Sequence, residues 1–105
     1  MRSFASLRRS ADFARLRQRG RRVASPFLTV FRTDSAPRDR AAVAGITVGK
    51  PVGKAVVRNR VRRRVAAILQ EALAGRRLRV LVVARPAAAE ASLAQLRIEL
   101  ERSLI

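Results

Sequence analysis

The chain has 105 residues, room for one small domain spanning 1–105. Its 24 Lys and Arg against 7 Asp and Glu give a formal charge of +17, which works against compactness and calls for a polyanionic partner, nucleic acid first and an anionic membrane surface second. With neither cysteine nor histidine, disulfides, thiolate metal sites and the commonest general base are excluded.

The charge is uneven: residues 1–66 carry net +15 and residues 67–105 net +2. The partner should therefore meet the first two thirds of the chain. Arginine supplies 22 of the positive residues, and guanidinium forks pair bidentately with phosphate and stack on bases.

At the N-terminus, MRSFASLRRSADF lacks the apolar middle of a secretory signal. No apolar run approaches the roughly 20 residues that span a bilayer. The expected setting is the cytoplasm, with no membrane partner. SADFARLRQRG predicts a short helix, capped by Ser10, with Asp12 at the positive end of the dipole and Gly20 as its stop. Phe13 and Leu16 share a face.

RRVASPFLTVFRTD predicts one bent strand or two short ones broken at Pro26. Phe27, Thr29 and Phe31 point one way, and Leu28, Val30 and Arg32 the other. SAPRDR is a turn, and AAVAGITVGK is a further strand with Ala44, Ile46 and Val48 on one face. These strands are expected to form an antiparallel meander. KPVG is a loop.

The main helix is expected from about Val57 to Ala74, ended by Gly75. Five arginines fall within seven of its residues, from Arg58 to Arg64. At about 100° per residue, Val57, Val61, Val65, Ile68, Leu69, Ala72 and Leu73 form one stripe that must lie on the sheet. Arg63 stands opposite the stripe. Arg60 and Arg64 lie on one flank, and Asn59 and Arg62 on the other. Arg58 falls inside the apolar sector and is expected in an irregular first turn.

Arginine belongs at the other end of the dipole. A bound anion, held by the free N–H groups and the arginines together, would explain this crowding. The bland alternative is a solvated face, but no interspersed acids make i,i+4 pairs.

RVLVVAR is apolar enough to be buried on both faces, hence central. AAAEASLAQLRIELERSLI closes the chain as an amphipathic helix with Leu93, Leu96, Leu100 and Leu104 on its stripe. The fold class is α+β, one sheet with helices.

Catalytic motifs fail. GKPVGKA has Gly49 and Gly53 too close for a phosphate-binding loop, and Ala55 where Ser or Thr must hold magnesium. The carboxylates Asp12, Asp34 and Asp39 lie in separate segments, so a two-metal nuclease is not expected. No catalytic side chain, protein-held metal or small-molecule substrate is predicted. Phe13 and Phe27 are read first as core residues, whereas Phe31, on the same side as Thr29, is expected on a half-exposed sheet surface; Phe13 and Phe31 together would line a groove beside arginines, which suits single-stranded nucleic acid.

The segment AGITVGKPVGKAVVRNRVRRRVAA, with its Arg58-Asn59-Arg60 triplet, resembles the signature of the bacterial ribonuclease P protein family. RRSADFARLRQRGRRVASPFLTVF looks like that family's opening, and RVLVVARPAAAEASLAQL like its closing strand and helix. The resemblance implies an αβββαβα sandwich with a left-handed βαβ crossover, like the second domain of a small-subunit ribosomal protein.

It implies two partners, the catalytic ribonuclease P RNA and the 5′ leader of precursor tRNA. It implies an accessory subunit of an endoribonuclease, in which the RNA hydrolyses with magnesium bound mainly by the RNA. The protein aids substrate and metal affinity. By position, Phe13, Arg17, Phe31, Asn59 and Arg62 match the leader cleft. Arg58, Arg60, Arg63, Arg64, Lys50 and Lys54 match contacts to the RNA subunit.

Three positions depart from the pattern. Arg17 stands where a second aromatic is common, Pro51 replaces a lysine, and Ala66 stands where a further basic residue is frequent. The competing readings are a general RNA-binding structural protein and a nucleoid DNA binder. The latter is disfavoured because only Asn59 and Gln70, more than two turns apart, could read base edges.

Overall fold

The computed structural model describes residues 2–105. In chain order the elements are β1 (Phe4–Ser6), α1 (Ser10–Arg19), β2 (Arg21–Ala24), β3 (Leu28–Asp34), β4 (Ala42–Thr47), α2 (Ala55–Ala72), β5 (Leu78–Ala84) and α3 (Leu93–Ser103). Short 3-10 turns at Lys50–Val52 and Pro86–Glu90 precede α2 and α3.

The five strands form one mixed sheet in the order β1-β4-β5-β3-β2. The run broken at Pro26 becomes the antiparallel hairpin β2–β3, with Val23 opposite Val30. The expected meander does not extend to β4. Instead β5 inserts between β3 and β4, antiparallel to the first and parallel to the second. The reason is burial: Leu78, Val80, Leu81 and Val82 are apolar on both faces, so only the centre of the sheet satisfies them. The three-residue β1, which the composition of RSFAS did not signal, pairs parallel with β4.

Alternation sorts the strands onto two cores. Leu28, Val30, Ala42, Ala44, Val80 and Val82 face α2 and α3 and meet Val61, Val65, Ile68, Leu69, Leu96 and Leu100. On the other face, Leu81 and Phe31 meet Leu7 and Leu16 under α1, with Phe13 packed alongside. Leu93, expected on the buried stripe, is 42% exposed. It is the first residue of α3, whose N-terminus is fixed by a Ser92–Gln95 capping box.

Chirality fixes the hand of the β4–α2–β5 connection. The Ala44 carbonyl accepts the Leu7 N–H at 2.9 Å, so its peptide groups face β1. The Ala44 side chain enters the α2 core. For L-residues this places β5 to the left of an upward-running β4 viewed from the helix side. The crossover is left-handed, against the strong general preference.

Helix boundaries differ slightly from expectation. α1 begins at Ser10 itself, with Arg9 at the N-cap and no side-chain cap. α2 begins two residues early, at Ala55, and ends at Ala72, ahead of Gly75.

Candidate nucleic-acid interface

The site begins with how α2 starts. The 3-10 turn buries Val52 and turns into the helix through Gly53, whose φ of 148° is open only to glycine. Lys54 caps the helix with no side-chain hydrogen bond, and the first turn holds no acid. The free N–H groups and positive dipole end therefore face solvent between exposed Lys50 and Lys54.

The arginines divide by partner. Arg63 and Arg62 are exposed. Arg60 Nη2 donates to the Ala89 carbonyl at 2.8 Å, and Arg64 Nη1 to the Ala91 carbonyl at 2.9 Å. These two half-buried side chains fasten the 86–90 turn and its C-cap residue Ala91 to α2. Arg58 does not sit in an irregular turn: its N–H bonds Lys54 O at 2.9 Å in regular helix. Its stem lies in the apolar sector, and its Nε is buried without a partner, as is Arg60 Nε. On the opposite flank, Arg62 Nη1 donates to Asn59 Oδ1 at 3.3 Å.

That flank borders a cleft of about 240 Å³. Arg62 and Ala66 of α2 form one wall, Phe13 of α1 another, and Gly45 and Ile46 of β4 the floor between them. The cleft wraps the edge of β4 because β1 pairs only as far as Ala44. Gly45 lets the Phe13 ring lie against the strand: a Cβ there would fall 2.9 Å from Phe13 Cε1.

Of the five residues matched to the leader cleft, Phe13 and Arg62 line it and Asn59 holds Arg62. Arg17 is exposed on α1 and lies outside the lining. Phe31 is a correction. Expected on a half-exposed sheet surface, it is 8% exposed and belongs to the core under α1. Alternation showed which face Phe31 takes, not that α1 covers that face.

The sequence reading also missed what holds α1 in place. Arg79, 9% exposed, bonds Asp39 through Nε to Oδ2 at 2.9 Å and Nη2 to Oδ1 at 3.1 Å, and pairs with Asp12 Oδ1 at 3.2 Å. The Arg79 hydrogen bonds hold the Asp39 carboxyl below its ordinary value, aided by the Ala36 N–H, with burial opposing. The same bonds raise Arg79. Two acids from separate segments thus meet on one guanidinium. A charged residue inside the apolar strand RVLVVAR was the available signal. By anchoring Asp12, this cluster sets the position of its neighbour Phe13.

N-terminal residues missed in the sequence complete the cleft. Arg2 lies over the Phe4 ring at 4.9 Å from its centroid, and both line the cleft. Ser3 ties this end to α2, its N–H donating to Gln70 Oε1 at 2.9 Å and its Oγ to the Gln70 carbonyl at 2.6 Å.

Among the described residues, no three His, Cys, Asp or Glu gather as metal ligands. Arg79 occupies both oxygens of Asp39 and Oδ1 of Asp12, so a cation already sits where a magnesium ion would need these carboxylates. No helix among those residues is long and apolar enough to cross a membrane.

The family model described as Ribonuclease P matches residues 1–105. The Ribonuclease P protein component of Acidothermus cellulolyticus is 47% identical over 100 residues, covering 93% of this chain and 83% of the relative. That of Streptomyces avermitilis is 42% identical over 110 residues, covering 93% and 87%. Among solved structures, the Staphylococcus aureus RNase P protein superposes with a TM-score of 0.80 at 27% identity, covering 94% of this chain and 91% of the other. The Thermotoga maritima RNase P protein, at 22% identity, shares the fold with a TM-score of 0.78 and 94% coverage of each.

Proposed function

This chain belongs to the ribonuclease P protein family, the protein component of an endoribonuclease complex, and we propose that it works there by holding the 5′ leader of precursor tRNA against the catalytic RNA. The observation that carries this reading is the pairing of Phe13 with Arg62 across the open edge of β4. A flat ring and a guanidinium on two walls suit a single strand: a base stacks on Phe13 and a phosphate meets Arg62. A duplex is too wide for the cleft. Arg17, one turn beyond Phe13, extends positive charge along the strand's path.

The RNA subunit is assigned to the N-terminal half of α2. Lys50 and Lys54 flank the uncapped N–H groups, Arg58 and Arg63 continue the positive charge along the helix, and Arg60 and Arg64 add theirs. Phosphates there offset both the side-chain charges and the dipole.

Hydrolysis is assigned to the RNA with magnesium that the RNA binds. The chain contributes positive charge and positioning, which lower the magnesium needed to neutralise the assembled phosphates. The cytoplasm is the expected compartment, where precursor tRNA is made.

The test compares precursor tRNA carrying a leader with mature tRNA, both bound by the reconstituted holoenzyme. Phe13→Ala should weaken precursor binding by about 1–3 kcal/mol, the value of one stacked base, and leave mature tRNA unchanged. Equal losses for the two substrates would contradict a leader contact at Phe13.

A further inference from the structure

A concavity larger than the cleft lies elsewhere on the molecule. It measures about 520 Å³ and lies where α1 and α2 end, lined by Arg19, Arg21, Arg32, Arg76 and Arg77 with one acid, Asp34. Eighteen residues of α2 put about 27 Å between its ends, so no single phosphate bridges this place and the helix N-terminus.

The arrangement opposes the stability of the free protein. Arg21 and Arg32 are direct cross-strand partners on β2 and β3, and like charges in that relation repel. Arg32 Nη1 is buried with no hydrogen-bond partner. Arg77 bonds the Asp39 carbonyl. None of the five forms an ion pair among the described residues, and Asp34 pairs with none of them. The dipole of α2 favours cations near its C-terminus, which accounts for Arg76 and Arg77. It does not account for Arg21 facing Arg32.

We propose that this concavity is a second phosphate site, separate from the N-terminal half of α2, and that its ligand is a backbone phosphodiester of RNA. The lining explains the choice. It contains no aromatic ring on which to stack a base, so it reads charge and not sequence. Several guanidiniums converge on it, the geometry that grips phosphate oxygens bidentately. The site rests on the reading of the protein as an RNA-bound subunit, and it serves either the ribonuclease P RNA or the precursor tRNA.

The experiment uses the full chain with Arg32→Gln and Arg76→Gln combined, beside Arg63→Ala as a reference at the other end of α2. Affinity is measured against potassium chloride in two titrations, protein with ribonuclease P RNA and holoenzyme with precursor tRNA. Each lost contact lowers the slope of log K against log salt by about 0.7–0.9, so the double variant should lose roughly twice that.

A shallower slope in the first titration assigns the phosphate to the ribonuclease P RNA. A shallower slope in the second alone assigns it to the precursor. Unchanged slopes in both, with Arg63→Ala still lowering the first, would overturn the site while leaving the general reading intact. Failure of the unaltered protein to bind either RNA would instead overturn that reading. Thermal melts check folding. If the double variant does not melt cooperatively, Arg19→Gln with Arg76→Gln, both at exposed positions, replaces it under the same criteria.

Discussion

Arg79 shows how one side chain prepares the cleft without lining it. It is buried with two carboxylates, and removing one partner of such a pair leaves an uncompensated charge. Asp39→Ala should therefore destabilise the fold by about 3–5 kcal/mol, read from urea unfolding. A loss below about 1 kcal/mol would mean that Arg79 finds other acceptors. The sign with pH follows from the lowered Asp39 carboxyl. Its contribution is complete above the ordinary value of 3.8 and is lost as pH falls below it. Chemical denaturation from about pH 5 down to about pH 2 should show that decline, and Asp39→Asn should flatten it.

The two aromatic rings divide by the same logic. Phe31→Ala should cost about 3–5 kcal/mol of stability as a core truncation. Phe13→Ala, at a half-buried ring, should cost less and act mainly on the leader. The sequence displayed the strand alternation and the Phe13–Leu16 face. The burial of Phe31 was hidden because it depends on α1, an element far from it in the chain.

At the scale of elements, α2 was the most legible. Its apolar stripe follows from periodicity alone, and Val61, Val65, Ile68, Leu69 and Leu73 are all buried. What periodicity does not carry is partner choice. Arg60 and Arg64 look like their exposed neighbours in the sequence, and only the resting place of the 86–90 turn sets them apart.

They should behave differently on substitution. Arg64→Ala should destabilise by about 1.5–3 kcal/mol, the range for hydrogen bonds to charged groups. Arg63→Ala should stay within about 0.5 kcal/mol in stability and weaken binding to the RNA. Thermal unfolding and RNA titration of both variants separate the roles. Equal stability losses would mean that the bonds to the turn contribute nothing. The meander fails for the same kind of reason. Strand patterns specify faces, whereas the place of β5 between β3 and β4 follows from the need to cover both of its apolar faces.

For the whole molecule, net charge governs how the free protein behaves. A formal +17 on 105 residues repels itself in the free state, and any anion that binds only the folded form stabilises it. The melting temperature should rise with sulfate or phosphate more than with chloride at equal ionic strength. Equal effects would reduce the anion sites to simple screening.

The α+β class and its helices were legible from the chain. The left-handed crossover was carried by resemblance, because no residue pattern encodes a hand that opposes the general rule.

Reconstitution decides whether the protein serves chemistry that the RNA performs. The protein is mixed with ribonuclease P RNA at low magnesium, and cleavage of precursor tRNA at the mature 5′ end is followed. The protein should restore cleavage with the RNA and do nothing alone. Binding to the RNA with no change in cleavage would contradict that role and leave a general RNA-binding protein. Cleavage by the protein alone would contradict the assignment of the chemistry to the RNA.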